Sequence, residues 1–274
     1  MDRKIGFIGC GNMGSAMLEG ILKAGVYTKE NIFCSTKSET SKKALSEKFG
    51  INISDNIGVA KNSDILILAV KPQFFSEVIK EIKNFTKEGT IIVSIAAGIS
   101  IEDIEGLFGI FSYGLKVIRT MPNTPALVRE GMTAICPNKN ITEEELVEVQ
   151  KIFNSFGKSE ILDEKYFHGF IALCGSSPAY AYMFIEAMGA AGIRAGIPAS
   201  KSYTLAAQSL LGTAKMVLET GEHPAVLKDK VCSPSGTTIE AVSVLENTGF
   251  RRSIIEAMES CEKKSKEMQK NSWH

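Results

Sequence analysis

The chain has 274 residues, of which 44% are hydrophobic and 23% charged, a composition typical of folded globular proteins rather than disordered or fibrous ones. Its 31 basic and 31 acidic residues cancel, so the basic surplus that nucleic-acid binding requires is missing. Six scattered cysteines without a C-x-x-C pair exclude a zinc finger and predict reduced thiols. With no apolar run near the roughly 18 residues that span a bilayer, and no signal peptide before the first strand pattern, we expect a cytoplasmic protein without membrane or nucleic-acid partners.

The first half of the chain alternates short apolar runs with helical patterns. Such alternation predicts a Rossmann-type, doubly wound parallel sheet with right-handed crossovers. The run at 64–70 is apolar on both faces, as a central parallel strand should be. The predicted strands are 5–8, 31–34, 64–70, 90–95, 115–119, 132–136 and 159–162, and the predicted helices between them are 13–24, 38–49, 74–85, 101–108 and 143–156.

The second half has almost no strand pattern and is rich in Ala, Met, Leu and Glu. Helices are predicted over 177–192, 200–219, 236–247 and 250–269. We therefore expect a dinucleotide-binding Rossmann-like domain over 1–162 and an all-α substrate and dimerisation domain over 163–274. The helices carry broad apolar faces, and small residues at 189–192 allow close helix approach, which favours packing against a second copy of the chain.

A glycine motif follows the first predicted strand and opens the first predicted helix. Its first glycine permits a tight turn, its second lets the backbone approach a pyrophosphate, and its third allows close helix–strand packing. The N-terminus of the helix adds N–H donors and a positive dipole. In this position the motif Gly9-Cys10-Gly11-Asn12-Met13-Gly14 predicts a dinucleotide site, and Gly9, Gly11, Asn12, Met13 and Gly14 are its expected cofactor-binding residues.

The end of the second strand bears on the choice of dinucleotide. An NAD site usually places an acid there for the ribose 2′-hydroxyl. This chain instead has Ser35, Thr36 and Lys37, and its first acid is Glu39. Hydroxyls and a lysine suit a 2′-phosphate, so NADPH is favoured over NADH, although a solvated turn would look the same.

Three later strand ends belong to the same predicted edge of the sheet, where ligands of such sheets bind. The turn after the central strand should flank the cofactor with Ala69, Val70, Lys71 and Pro72. Lys71 suits a phosphate contact or a solvated side chain, and spacing does not separate the two. The segments 94–98, which contains Ala97, and 119–125 follow later strands, and their small residues and prolines suit a slot for a flat ring.

Two segments of the helical half place turn residues before a helix, at 173–180 and 233–238. Free N–H groups and hydroxyls at such helix starts suit a small carboxylate, and ordinary N-capping is the alternative. We find no strong acid–base group, because His168 and His223 are isolated in the sequence. Hydride addition to an electrophilic C=N bond needs little more than orientation and one hydrogen-bond donor.

Taken together, these segments resemble the pyrroline-5-carboxylate reductase family over nearly the whole chain. The Met-Pro-Asn-Thr-Pro and Ser-Pro-x-Gly-Thr-Thr pieces are far more specific than the glycine loop. The segments that carry the resemblance are Ile8 to Gly14, Ala69 to Gln73, Arg119 to Pro125, Cys174 to Tyr180 and Ser233 to Thr238.

The resemblance implies an NAD(P)H-dependent reduction of the cyclic imine 1-pyrroline-5-carboxylate to L-proline. It also implies homodimers through the helical half, assembled into larger rings such as a decamer. By family analogy Asn56 joins Ser35, Thr36 and Lys37 around the adenosine ribose and its 2′-phosphate. On the substrate side, the analogy places the carboxylate on the loop and the Thr238 hydroxyl on the ring nitrogen, with the substrate-binding residues Asn123, Ser176, Ser235, Gly236, Thr237 and Thr238.

Four positions depart from the family pattern. Ser177 and Ser235 stand where the family usually has glycine, Cys174 stands where it has serine, and His168 stands where Asp is common. A serine adds a Cβ and opposes a positive φ, so a backbone that needs glycine at either position would shift the substrate loop.

Other functions remain open at this point. The β-hydroxyacid reductases share the layout but use a helical lysine, and residues 167–192 contain none. A reductase of a larger ring, such as piperideine carboxylate, and a non-catalytic NADPH-binding sensor are the remaining alternatives.

Overall fold

An eight-stranded sheet forms the centre of the first part of the chain in the computed structural model, which describes residues 3–271. The strand order is β3-β2-β1-β4-β5-β6-β7-β8, and every neighbouring pair is parallel except β6–β7. The predicted doubly wound sheet is confirmed, with the reversal of strand order lying between β1 and β4. The strands are β1 Ile5–Ile8, β2 Ile32–Ser35, β3 Asn52–Ile53, β4 Ile65–Leu68, β5 Ile91–Ser94, β6 Lys116–Met121, β7 Gly131–Pro137 and β8 Gly157–Ile161.

Helices connect the strands and make up the second part of the chain. Local signals set several of their ends. Ser38 caps α2 by accepting from the Ser41 amide, and Gly50 ends it with φ +65°. The helices are α1 Asn12–Lys23, α2 Glu39–Phe49, α3 Asn56–Asn62, α4 Phe75–Ile82, α5 Ile101–Phe108, α6 Glu143–Asn154, α7 Phe167–Phe170, α8 Ser177–Arg194, α9 Ala199–Thr220, α10 Pro224–Val231, α11 Thr237–Asn247 and α12 Phe250–Asn271, with a π-helical turn at Ile171–Gly175.

The core lies on both faces of the sheet. In β4, Ile65 and Ile67 pack into one apolar cluster with α1 and α6, while Leu66 and Leu68 pack into another with α4 and α5. All four side chains are fully buried. A strand covered on both faces needs a continuous apolar run, and the sequence at this position has one.

The β6–β7 pair departs from the predicted all-parallel arrangement. A parallel return needs a crossover of a dozen or more residues, whereas β6 and β7 are joined by a short loop containing the 3₁₀ turn Thr124–Val128. Arg129 follows the turn with φ +63°, and the chain reverses direction. A short loop of this kind produces an antiparallel pair.

The described residues divide into two compact units. The first unit comprises the residues up to Gly175 and those from Cys261 onward, and the second unit comprises 176–260. The domain boundary predicted at residue 162 rests on composition and stays a prediction. Within the described part of the chain, no helix is both long and apolar enough to cross a membrane.

Candidate functional site

The glycine loop after β1 lies tightly against the ends of two neighbouring strands. The Gly9 amide donates to the Ser35 carbonyl at 2.9 Å, which ties the loop to the end of β2. Gly9 has φ +84°, and a Cβ there would lie 2.8 Å from the Ala69 carbonyl oxygen beyond β4. Both the backbone conformation and the close approach therefore require glycine at this position.

Gly11 differs from Gly9 because the space around it is open. A Cβ built on Gly11 meets no atom within 4 Å, and its φ of −80° suits any residue. Gly11 is also the N-cap of α1 and supplies no capping side chain. The first amides of α1 are thus available to an anion, with the positive end of the helix dipole behind them.

A cavity of about 490 Å³ lies beside this loop at the carboxyl ends of β1, β2 and β4. This is the position where the strand order reverses, which is where doubly wound sheets bind ligands. The structure brings nine of the predicted cofactor residues together in its wall: Gly9, Gly11, Ser35, Thr36, Lys37, Asn56, Ala69, Val70 and Lys71.

The other predicted cofactor residues do not line this cavity. Asn12, Met13 and Gly14 form the first turn of α1, where their amides belong to the open helix end. Pro72 begins a 3₁₀ turn after β4, and Ala97 lies in the loop that follows β5.

Several lining residues were not predicted from the sequence. Asp55 caps α3 by accepting from the Gly58 amide at 2.6 Å, and α3 itself was not predicted. Glu77 and Glu81 stand one turn apart on α4, a spacing that indicates a shared helix face but not which cavity it borders. The full set of unpredicted lining residues is Ile8, Cys10, Lys42, Ser54, Asp55, Phe74, Glu77, Val78 and Glu81.

A chain of hydrogen bonds orients Asn56 in the cavity wall. The Ser35 hydroxyl donates to Asn56 Oδ1 at 2.6 Å, and Asn56 Nδ2 donates to Glu81 Oε2 at 2.7 Å. Ser35 is buried and Glu81 is exposed. The amide group of Asn56 is therefore held between a buried hydroxyl and an exposed carboxylate.

The charges around the cavity balance. Three lysines and three acidic residues contribute to the wall: Lys37, Lys42, Lys71, Asp55, Glu77 and Glu81. The ammonium of Lys37 lies 5.8 Å from the centre of the Phe74 ring, and that of Lys42 pairs with Glu39 at 2.6 Å. A phosphate group entering here meets movable cations on one side and carboxylates of α4 on the other.

Asn123, predicted to bind substrate, lies in the first unit and is 8% exposed. Its Nδ2 donates to the Cys174 carbonyl at 2.9 Å, and its Oδ1 accepts from the Met132 amide at 2.8 Å. The side chain therefore joins the loop after β6 to the π-helical turn. One hydrogen of Nδ2 lies outside these two bonds.

The loop at the start of α11, in the second unit, has the open geometry predicted for an anion site. Gly236 is the N-cap of α11 without a capping side chain, so the amides at Thr237 and Thr238 begin an uncapped helix. The Gly236 amide donates to the Ser233 carbonyl at 3.1 Å, which closes a turn. Ser235, inside this turn, has φ +56°.

The two serines that replace family glycines lie in different conformations. Ser235 adopts the left-handed region that glycine favours, so the loop keeps this conformation despite the added Cβ. Ser177 is the first residue of α8, following the N-cap Ser176, and needs no positive φ. The expected conflict between a Cβ and a positive φ therefore exists at Ser235 and not at Ser177.

His168 packs against the C-terminal helix α12. Its Nδ1 lies 2.9 Å from the Ser265 hydroxyl, and burial lowers the pKa of the ring below its usual 6.5.

Among the residues that the structure describes, no group of three or more His, Cys, Asp or Glu is arranged to hold a metal ion.

Comparisons with known proteins identify both parts of the chain. Residues 164–268 match the family model described as pyrroline-5-carboxylate reductase dimerisation, and residues 4–98 match one described as NADP oxidoreductase coenzyme F420-dependent. The pyrroline-5-carboxylate reductase of Escherichia coli K12 is 47% identical over 99% of this chain and 100% of its own length. That of Methanosarcina acetivorans is 43% identical over 98% of this chain and 99% of its own.

Solved structures agree with the sequence relatives. A pyrroline-5-carboxylate reductase from Coxiella burnetii superposes with a TM-score of 0.91 at 31% identity, covering 98% of this chain and 99% of that one. The Plasmodium falciparum pyrroline carboxylate reductase with NADP bound superposes with a TM-score of 0.85 at 34% identity, covering 98% of each chain. This chain belongs to the pyrroline-5-carboxylate reductase family.

Proposed function

We propose that this chain reduces 1-pyrroline-5-carboxylate to L-proline, the last step of proline synthesis. The observation that carries the proposal is the likeness to the Escherichia coli pyrroline-5-carboxylate reductase, at 47% identity over 99% of this chain and 100% of that one. The reaction adds a hydride to the carbon of a cyclic C=N bond and a proton to its nitrogen. One part of the chain suits the coenzyme, and another suits the imine.

The cavity of the first unit suits a dinucleotide. Gly11 leaves open space where a side chain would obstruct a pyrophosphate, and the uncapped start of α1 offers amide donors to it. The remaining wall, at the ends of β2 and β4, borders the adenosine and its ribose. The bound coenzyme supplies the hydride.

We assign NADPH as the preferred coenzyme, with NADH as the alternative. Ser35, Thr36 and Lys37 stand at the end of β2, where an NAD site usually has an acid, and Asn56 stands beside them. A related structure from Plasmodium falciparum has NADP bound. Glu81 opposes this preference, because its carboxylate lies 2.7 Å from Asn56 Nδ2 and repels a 2′-phosphate. The Kd values of NADPH and NADH, measured in parallel, test the assignment.

We assign the substrate carboxylate to the start of α11. The amides of Ser235 and Thr237 supply donors there, while the Gly236 amide is already bonded to the Ser233 carbonyl, and the positive end of the helix dipole favours a negative charge. Thr238 is the second residue of the helix, and its hydroxyl donates a hydrogen bond to the ring nitrogen. That bond strengthens as the nitrogen gains electron density, so it stabilises the transition state more than the bound imine.

Asn123 and Ser176 complete the proposed substrate-binding set. Asn123 is held by its two backbone hydrogen bonds and has one further Nδ2 hydrogen to offer. Ser176 precedes the first residue of α8, another helix start. Substitution of either residue is expected to raise the KM for the imine more than it lowers kcat.

The test is NADPH oxidation with pyrroline-5-carboxylate, followed by identification of proline. Thr238→Ala is expected to lose about tenfold or more in kcat with an unchanged Kd for NADPH, while Thr238→Ser, which keeps the hydroxyl, retains most of the rate. An unchanged rate in Thr238→Ala would remove this hydroxyl from the mechanism. Faster turnover of piperideine carboxylate would reassign the substrate, and NADPH binding without turnover of either ring would indicate a sensor.

The match of residues 164–268 to a dimerisation model supports a homo-oligomer. We propose a homodimer formed through the helical domain and assembled into a decameric ring in the cytoplasm. Size-exclusion chromatography with light scattering tests the assembly. A monomeric mass would contradict the dimer, and a dimeric mass would contradict the ring.

A further inference from the structure

The loop that follows β5 covers residues 95–100 and leads into α5. It contains Ala97, a predicted cofactor residue, and it lies outside the wall of the 490 Å³ cavity. On the proposed function, the cavity holds the adenosine end of the coenzyme and this loop borders the nicotinamide ring. The shape of the loop then decides where the ring lies.

The start of this loop is held by β6. Ser94 ends β5, and Arg119 lies opposite it in the neighbouring parallel strand β6. The next residue of β6, Thr120, is fully buried, and its hydroxyl donates to the Ser94 carbonyl at 2.9 Å. The Ser94 hydroxyl in turn accepts from the Ala96 amide at 3.3 Å. The chain therefore leaves β5 in a direction that β6 fixes.

The end of the loop is held by Glu164, which lies 63 positions beyond it in the sequence. Glu164 Oε1 accepts a hydrogen bond at 2.8 Å from the amide of Ile101, the first residue of α5. The same oxygen accepts from Nη1 of Arg119 at 2.9 Å. The capping box of α5 uses other groups, so this bond adds a fixed point that the helix does not need for its own cap.

Arg119 holds the Glu164 carboxylate in place. Its side chain is 2% exposed, and its guanidinium carbon lies 4.6 Å from the centre of the Phe167 ring. Among the described residues, Nε and Nη2 of Arg119 have no hydrogen-bond partner, so the guanidinium depends on its bond to Glu164. A buried ion pair with unpartnered donors contributes little to stability, and well-packed apolar side chains would serve folding as well. Stability alone therefore does not explain the pair.

We propose that Glu164, held by Arg119, is a positioning residue that fixes the loop after β5 for the nicotinamide end of the coenzyme. Hydrogen bonds at both ends of the loop restrict its conformations before the coenzyme binds, which lowers the entropic cost of binding. Without the acceptor at Ile101, this ordering has to accompany binding of the ring. A less well-placed ring also transfers its hydride more slowly.

The first test compares two nucleotides by calorimetry on the full-length chain. NADPH contains the nicotinamide, whereas 2′-phospho-ADP-ribose has the same adenosine end and lacks that ring. Glu164→Ala is expected to raise the Kd of NADPH about fivefold or more and to leave the Kd of 2′-phospho-ADP-ribose within about twofold of the parent value. Asp163→Ala removes the adjacent, exposed carboxylate and is the matched control, which should bind both nucleotides like the parent. Equal rises for both nucleotides in Glu164→Ala, or no rise for either, would overturn the proposal.

Two further variants separate positioning from stability. Glu164→Gln keeps an acceptor oxygen for the Ile101 amide, so it should bind NADPH within about twofold of the parent, although Tm falls because the buried guanidinium loses its counter-charge. Arg119→Met combined with Glu164→Ala leaves no buried charge unpaired, so its Tm should lie close to that of the parent. NADPH binding of this double variant should stay as weak as that of Glu164→Ala. Recovery of NADPH binding in the double variant would show that the pair serves folding alone.

Turnover is measured separately, so that failure of the proposed function can be recognised. With pyrroline-5-carboxylate and saturating NADPH, Glu164→Ala is expected to lose about tenfold in kcat, with the KM for the imine within about twofold of the parent. A parent chain that shows the nucleotide difference but does not reduce the imine would contradict the proposed substrate and support the positioning role. A parent chain that reduces the imine, together with parent values of kcat and Kd in Glu164→Ala, would overturn the positioning role and leave the proposed function intact.

Discussion

The left-handed backbone of Ser235, in the loop before α11, leads to the prediction that a substitution there stabilises the protein. Ser235 has φ +56°, a conformation that costs a residue with a Cβ about 1–2 kcal/mol relative to its favoured regions. Glycine removes this cost but gains freedom in the unfolded chain, which is worth about 0.4–1 kcal/mol in the opposite direction. Ser235→Gly should therefore raise the free energy of unfolding by about 0.5–1 kcal/mol.

Ser177→Gly is the matched control, because it makes the same chemical change at the other position where the family has glycine. Ser177 begins α8 and has no positive φ. Glycine in a helix is less favourable than serine by about 0.5 kcal/mol, so this variant should be less stable than the parent chain. The two substitutions are expected to differ by about 1 kcal/mol with opposite signs.

Thermal unfolding of the two variants and the parent chain, at one protein concentration, measures the difference. Ser235→Gly is expected to raise Tm by about 2 °C and Ser177→Gly to lower it by about 1–2 °C. Because Ser235 already has the backbone conformation of a glycine, kcat/KM of Ser235→Gly should stay within about twofold of the parent. A fall in Tm for Ser235→Gly as large as that for Ser177→Gly would refute the reasoning.

Three further predictions concern the first unit. Gly11→Val should keep the parent Tm while raising the Kd of NADPH about tenfold or more, because its side chain enters open space beside the cavity; a large loss of Tm would contradict this. Glu81→Gln should lower the Kd of NADPH about fivefold with little effect on NADH, since it removes one negative charge beside Asn56, where we propose that the 2′-phosphate binds. Glu77→Gln, one turn away, is the control, and equal changes for both coenzymes would exclude a phosphate effect. The lowered pKa of His168 means that the unfolded ring binds a proton more readily than the folded one, so its contribution to stability is present above pH 6.5 and is lost as pH falls through the folded pKa. His168→Asn should therefore flatten the decline in unfolding free energy on acidification, and an unchanged decline in a urea titration series would show that other groups cause it.

The sheet could largely be predicted because its signals are local. The run of β4, which is apolar on both faces, and the glycine turn after β1 predict a central parallel sheet without any knowledge of contacts. Elements with weak local signals were missed. β3 is two residues long and exposed or half-buried, and α3 and α10 are shorter than three turns. Their positions depend on packing against neighbours that sequence patterns do not show.

The candidate site could be predicted where its residues are neighbours in the sequence. The glycine loop and the end of β2 provide most of the predicted lining, whereas Glu81 reaches Asn56 across 25 positions in the sequence. The amphipathic pattern of α4 shows that one face is buried but not what its exposed face borders.

The position of the cavity lining in the sequence has a consequence for synthesis of the chain. Every residue that lines the cavity lies between Ile8 and Glu81, so residues 8–81 of the 274 contain the whole wall. A nascent chain that has just released α4 from the ribosome already contains this wall, but not β5, which pairs with β4 along Ile65–Leu68. Until β5 emerges, the backbone N–H and C=O groups along that edge of β4 have no neighbouring strand to pair with.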